Sequence, residues 1–320
     1  MIVLVAPGYK PFPPNGWGAV ESIVWDYYEN LLRRNIDVKI VNRANPNDII
    51  DEINTLSPKL VHIMYDDHIV IAPYINCKKI YYTTHYAYIT HPNFEIQSRG
   101  YFNNIFLKAI RYSSTIYMNV ISEKIKQIYI KHGFPSDHIQ VICNGARGDL
   151  FDYTLEPMYP HKSVYVAKIE NRKCQYKYQC ITNIDFVGNF HNSSFNREHT
   201  NYLGEWDKET LYKKLTHYGN LVLLSDGEAD PLVVKEALNT GLGIVISECA
   251  QANLDITLPF IDVIPDDKRD DIRYVEEVIN DNRKRSIPLR QQIKEYANNE
   301  FSWDVIIDKY CNLCIHKNDL

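Results

Sequence analysis

Short apolar runs recur along this chain and alternate with stretches of longer period. In the first half the runs are 2–6, 38–42, 60–64, 80–84, 116–121 and 139–143. They are rich in Val, Ile and Tyr, as strands buried on both faces are. Between 19 and 35 the period changes. Val20, Ile23, Val24, Tyr27, Leu31 and Leu32 recur at i, i+3, i+4 and i+7, which predicts a helix with one apolar face. Strand, glycine-containing loop, helix and strand is the opening of a doubly wound parallel sheet. The segment 152–161 holds two prolines and no period, and reads as a linker. The alternation then restarts, with strands predicted at 164–168, 184–188, 221–225, 244–247 and 260–264. Helices are predicted at 211–217, 232–240 and 289–300. The expectation is an α/β chain of two Rossmann-like halves, with ligand outside the carboxyl ends of the strands.

A length of 320 residues suits two domains. Hydrophobic residues make up 45% and charged residues 23%, so the chain belongs with folded proteins. A net charge of -5 supplies no general attraction to nucleic acid, and none is expected as a partner. Residues 2–6 are apolar but lack a cationic lead and are cut off by Pro7-Gly8, so they read as a strand and not a signal peptide. No apolar run approaches the roughly 18 residues of a membrane span. The expectation is a cytoplasmic protein, at most peripheral at a membrane. The seven cysteines are scattered, and Cys311 with Cys314 form the one close pair. Without a second pair they do not suggest zinc.

The richest stretch in chemistry runs from Ser225 to Gly241 and holds Asp226, Glu228, Asp230, Pro231, Leu232 and Glu236. A strand ends at Ser225, Asp230 and Pro231 can cap and begin a helix, and Gly241 can close it. Amides of that first turn suit a diphosphate. Two glutamates eight residues apart can grip hydroxyls at opposite ends of one ligand. The same pattern also suits an ordinary surface helix. Lys168, Arg172 and Lys173 follow another strand and can neutralise phosphate charge, though such runs are often plain solvated surface. Gly16 and Gly18 lie between the first strand and the first helix, where a ligand can approach the backbone, and a structural turn fits equally. His85 follows the strand 80–84.

In chain order these stretches resemble glycosyltransferase family 4, retaining nucleotide-sugar enzymes of GT-B fold. Glu228 and Glu236 match its E-x7-E pattern, and Lys168 and Lys173 fall where its paired cations lie. Gly16 and Gly18 match its glycine loop, and His85 its histidine. Val120–Glu123, Val141–Gly145 and Phe301-Ser302-Trp303 match further landmarks. The resemblance spans nearly the whole chain. It implies an acceptor-binding domain over 1–155, a nucleotide-sugar domain over 156–302, and a last helix in 303–320 that returns to the first domain. It implies catalytic roles for Glu228, Lys173, Lys168 and His85. Glu228 would hold the donor hexose, and His85 would reach it from across the cleft. Donor binding would involve Glu236 at the ribose, with Asp230, Pro231, Leu232, Gly16, Gly18, Arg172 and Gly188. No metal and no cofactor is implied. UDP-sugars are favoured as donor, then GDP-sugars; the acceptor is a glycan, lipid or small molecule. Lys168 stands in place of an arginine, Ala167 and Cys174 in place of glycines, Asp230 in place of an aromatic residue and Gly243 in place of a proline.

Three other readings stay open. The acidic run Asp226-Gly-Glu228-Ala-Asp230 or the pair Asp66-Asp67 can be drawn as metal ligands, without the spacing of a calcium loop. A GT-B sugar-nucleotide epimerase and a non-catalytic nucleotide-sugar binding protein share the same fold. Residues 97–131 mix cations with aromatic residues and read as a helix and strand with solvated charge, or as a face for an anionic lipid.

Overall fold

The computed structural model describes residues 1–14, 18–191 and 194–316. The chain divides into two compact units, Met1–Gly145 with the segment from Trp303, and Ala146–Ser302. In the first unit the apolar runs become six strands. They are β1 (Ile2–Val5), β2 (Val38–Val41), β3 (Leu60–Ile63), β4 (Ile80–Tyr82), β5 (Tyr117–Val120) and β6 (Ile139–Val141). They form one parallel sheet in the order β2-β1-β3-β4-β5-β6. Ile2 lies opposite both Val38 and Leu60, which sets the register at the centre. Val3, Leu4, Val5, Val61 and Ile63 are all buried, as a strand covered on both faces requires.

The helix Ala19–Arg33 buries Ile23, Val24, Tyr27 and Leu31, the periodic face read from the sequence. The helix Trp303–Tyr310 packs against it within the same unit. Trp303 and Tyr310 each meet the Tyr27 ring at 5.1 Å, and Arg34 reaches Asp304 at 3.0 Å and Asp308 at 2.9 Å. Residues 97–131, read as a helix and strand, are more broken than that. They hold the short helices Arg99–Tyr101 and Leu107–Arg111, a π-helical turn Phe102–Phe106, β5 and the helix Glu123–Lys131.

His62 on β3 is fully buried among Tyr27, Tyr81 and Tyr310, with Nε2 at 2.8 Å from Thr83 Oγ1. Burial pushes its pKa down to about 3, and that of His85 down to about 4. The unfolded chain then binds protons near its ordinary pKa of about 6.5 that the native chain refuses. Stability is therefore held above about pH 6.5 and lost as pH falls toward 4. Each histidine should contribute a slope of about 1.4 kcal/mol per pH unit between pH 6 and 5. Urea unfolding at the two pH values checks this. His62→Phe should lower the slope by about that amount, and an unchanged slope would show that His62 titrates normally.

The second unit holds β7 (Tyr159–Val166), β8 (Ile184–Val187), β9 (Tyr218–Leu223), β10 (Gly243–Ser247) and β11 (Ile261–Ile264). Its parallel sheet runs β11-β10-β9-β7-β8. β7 starts at Tyr159, inside the segment read as linker. Residues 146–155, read with the first half, lie in this unit. There the Asp152 N–H donates to Tyr212 O at 3.0 Å and the Thr154 N–H to Thr216 Oγ1 at 3.1 Å. Arg290 is buried beneath them and donates to the carbonyls of Thr154, Thr216, Tyr218 and Thr240. Desolvation pushes its pKa down to about 10. All seven cysteines are free thiols. Cys314 is buried and receives a hydrogen bond from Gln140 Nε2 at 2.9 Å.

Candidate functional site

In the second sheet β7 has β8 on one side and β9 on the other, so the chain reverses its direction of winding between β7 and β9. Loops leaving the carboxyl ends of strands at such a switch point diverge and leave a crevice between them. The loop after β7 carries Lys168, Glu170, Arg172 and Lys173. The loop after β9 carries Asp226, Glu228 and Asp230. The fold thus joins two runs that lie some 55 residues apart.

Glu228 is the centre of the cluster and is 6% exposed. Its Oε1 accepts a hydrogen bond from Lys173 Nζ and lies 3.6 Å from Arg172 Nη1. Arg172 also donates to Gly227 O at 2.6 Å and to Glu170 Oε1 at 2.8 Å. Lys168 Nζ sits 3.7 Å from Glu170 Oε2 and is the most exposed of the three cations. Three cations against two carboxylates leave a net positive charge in a half-buried place. The Lys173 ammonium has three N–H donors, so it can hold Glu228 and still face an anion. A cation here is worth more than in water because the surroundings are less polar.

Three buried side chains that the sequence reading did not single out hold these loops together. Tyr165 on β7 accepts from the Leu224 N–H at 2.9 Å and donates to Lys173 O, so one hydroxyl joins both loops. Gln175 donates to Lys168 O at 2.8 Å. Arg269 donates to Leu224 O at 3.0 Å and to Asp226 Oδ1 at 2.6 Å. The backbone adds Asp226 N–H to Arg172 O at 2.8 Å. None of the three falls in a motif, and each acts through partners distant in sequence, so no local signal marks it.

The helix after Glu228 begins at Leu232, with Pro231 at its cap position and ψ 119. This corrects the reading of Asp230 as cap and Pro231 as first helical residue. The Asp230 carboxylate is buried and turned to Lys235 Nζ at 2.6 Å and Asn253 Nδ2 at 3.0 Å. A buried carboxylate needs a countercharge more than a helix terminus needs a cap. Pro231 has no N–H to offer a phosphate, so Leu232 is the first residue of the turn that has one. Glu236 lies one turn further on and is half-buried. Gly241 ends the helix at φ 78, where an added Cβ would lie 2.9 Å from Tyr153. Gly188 follows β8, and a Cβ there would lie 1.9 Å from Ala167 O, beside the start of the cation loop. Cys174 has φ 55, the left-handed backbone that glycine adopts more easily, at one of the positions where the resemblance leads one to expect a glycine.

In the first unit Gly18 precedes the helix Ala19–Arg33, with Glu21 in its first turn. Gly16 lies outside the described residues. His85 follows β4, and its Nε2 is buried with no hydrogen-bond partner among the described residues. The Asp66 carboxylate accepts from Tyr82 OH at 2.5 Å and from the His85 N–H at 3.4 Å. The three carboxylates of the 226–230 run each face a cation: Arg269, Lys173 and Lys235. Among the described residues no three His, Cys, Asp or Glu side chains group as metal ligands, and no helix is long and apolar enough to cross a membrane.

No protein-family model matches the chain, and no curated protein sequence does. Solved structures do. HepE of Anabaena in complex with UDP is 14% identical with a TM-score of 0.70, over 97% of this chain and 98% of that one. Sucrose-phosphate synthase of Thermosynechococcus elongatus is 14% identical with a TM-score of 0.73, over 98% and 97%. WaaG, a glycosyltransferase involved in lipopolysaccharide biosynthesis, is 11% identical with a TM-score of 0.70, over 99% and 100%. At such identities the likeness speaks for the fold: with two parallel sheets of six and five strands covered by helices, this chain has the α/β GT-B fold of those glycosyltransferases.

Proposed function

We propose that the protein is a retaining glycosyltransferase that moves a hexose from a nucleotide-diphosphate sugar to an acceptor hydroxyl, without a metal or other cofactor. The observation that carries this reading is the meeting of Arg172 and Lys173 with the buried Glu228 at the switch point between β7 and β9, with Lys168 beside them on Glu170. Cations fixed there stabilise the charge that develops on a departing diphosphate, and their prior placement removes the cost of arranging them during reaction. Glu228 accepts hydrogen bonds from hydroxyls of the hexose, and Glu236 from those of the ribose. Amides from Leu232 onward support the phosphates. His85, neutral at physiological pH, suits a sugar hydroxyl better than a phosphate. The leaving phosphate accepts the proton of the acceptor hydroxyl on the same face, so the anomeric configuration is kept. HepE has been solved with UDP and with UDP-glucose, which supports a uridine donor here, with a guanosine donor next.

Incubation with a panel of nucleotide sugars in the presence of chelator tests the reading. The expected result is slow release of nucleoside diphosphate from one donor, UDP-linked, with no added metal. Release that stops in chelator would overturn metal independence. An altered sugar nucleotide formed without acceptor would identify an epimerase. Failure to bind any nucleotide would remove the proposal altogether.

A further inference from the structure

The first unit contains a cavity of about 410 Å³ at the carboxyl ends of β3 and β4, a volume within the range of small-molecule sites. Tyr86 and Tyr101 form one wall, their rings parallel at 3.8 Å with an interplanar angle of 6°. Their hydroxyls are fixed, Tyr86 OH to Ser98 Oγ and Tyr101 OH with Thr84 Oγ1, both at 2.7 Å. Tyr65 adds a third ring. Asp66 and Asp67 supply carboxylates, and Asn104 supplies an amide. Asp66 is already engaged by Tyr82 OH, whereas Asp67 is exposed. Asn104 belongs to the π-helical turn Phe102–Phe106, a local irregularity often found where a helix is bent to present side chains. Phe102 and Phe106 stack on each other at 5.3 Å, which holds that turn in shape.

The lining decides the class of ligand. Tyrosine faces favour the C–H faces of a sugar ring, and carboxylate and amide oxygens accept from its hydroxyls. Among the described residues no lysine, arginine or histidine lines the cavity, so a phosphate or carboxylate would meet Asp66 and Asp67 without a countercharge from them. We infer that this cavity is a binding site for an uncharged carbohydrate. Its role as the acceptor site rests on the glycosyltransferase reading; binding of the carbohydrate does not.

Gly100 lines the cavity, and a Cβ built on it meets no atom within 4 Å. The first carbon of a side chain there meets no wall, so Gly100→Leu is the variant expected to obstruct the cavity. The full chain is titrated with uncharged gluco-, galacto- and manno-configured mono- and disaccharides, and with glucuronic acid and glucose 6-phosphate, by saturation-transfer NMR. UDP is titrated in parallel. At least one uncharged sugar should bind, weakened about tenfold or more by Gly100→Leu and about tenfold by Asp67→Asn, with UDP affinity unchanged. Three results overturn the inference: no uncharged sugar binds, Gly100→Leu binds it as well as the wild type, or the anionic sugars bind in preference. Sugar binding that is lost in Gly100→Leu while UDP binds to neither protein sustains this site and removes the donor reading.

Discussion

Lys173→Ala and Glu228→Gln should both lower release of nucleoside diphosphate from the donor sugar by about 100-fold or more, but only Lys173→Ala should weaken nucleotide binding. Lys173 provides the cation nearest Glu228 and is itself mostly buried. Its removal takes away charge that stabilises the departing diphosphate. It also takes from Glu228 the nearer of the two cations that face it among the described residues, leaving Arg172 at 3.6 Å. UDP affinity should fall about tenfold or more in Lys173→Ala. Glu228→Gln keeps the size of the side chain and removes a negative charge beside the diphosphate. UDP should then bind as well as before or better, while turnover falls because the hexose loses its charged acceptor. Calorimetric titration with UDP, set beside the rate of donor hydrolysis, separates the two. Equal losses of affinity in both variants would mean that Glu228 serves only to hold the loop.

Lys235→Met should cost about 3–5 kcal/mol of stability, the largest effect expected of a single change in the second unit. Lys235 is 1% exposed, its ammonium lies 2.6 Å from the fully buried Asp230 carboxylate, and it sits 4.9 Å over the Phe301 ring. Breaking the pair takes its cation away from a carboxylate that is fully buried. The double variant Asp230→Leu with Lys235→Met removes both charges and should recover most of the loss, since desolvating an ion pair offsets much of its attraction. Urea unfolding of the two single variants and the double completes the cycle. A cost below about 1 kcal/mol in both single variants would show that the pair is solvated. Because Asp230 stands two residues from Glu228, the surviving folded fraction of Asp230→Asn also reports on the site. Unchanged UDP affinity there would mark Asp230 as a support for the loop rather than a ligand to the donor.

The strand pattern was legible because both sheets are parallel and covered on both faces. Their strands therefore appear as unbroken apolar runs such as Ile2–Val5 and 221–224. Helix Ala19–Arg33 was legible by its period, and Gly241 by the left-handed turn that ends the helix Leu232–Asn239. The segment 97–131 was not resolved into its parts. A π-helical turn carries no period of its own, and Phe102 and Phe106 are set by packing on Phe94 and on each other.

For the site, the residue types and their order along the chain were written in the sequence: two glutamates eight apart, cations after one strand and a histidine after another. Which of them meet was decided by the tertiary structure. The order β9-β7-β8 brings Lys173 to Glu228 and allows Tyr165 to join Lys173 O to the Leu224 N–H. The choice of Lys235 over the helix terminus as partner of Asp230 follows from burial, which no local pattern reveals. The same holds for the cavity beside Asp66, whose walls come from residues 65–67, 86, 100, 101, 104 and 105. Local sequence determines strands, helices and turns because their forces act within a few residues. Contacts between loops far apart depend on strand order and on the free energy of burying charge, and these exist only in the folded chain.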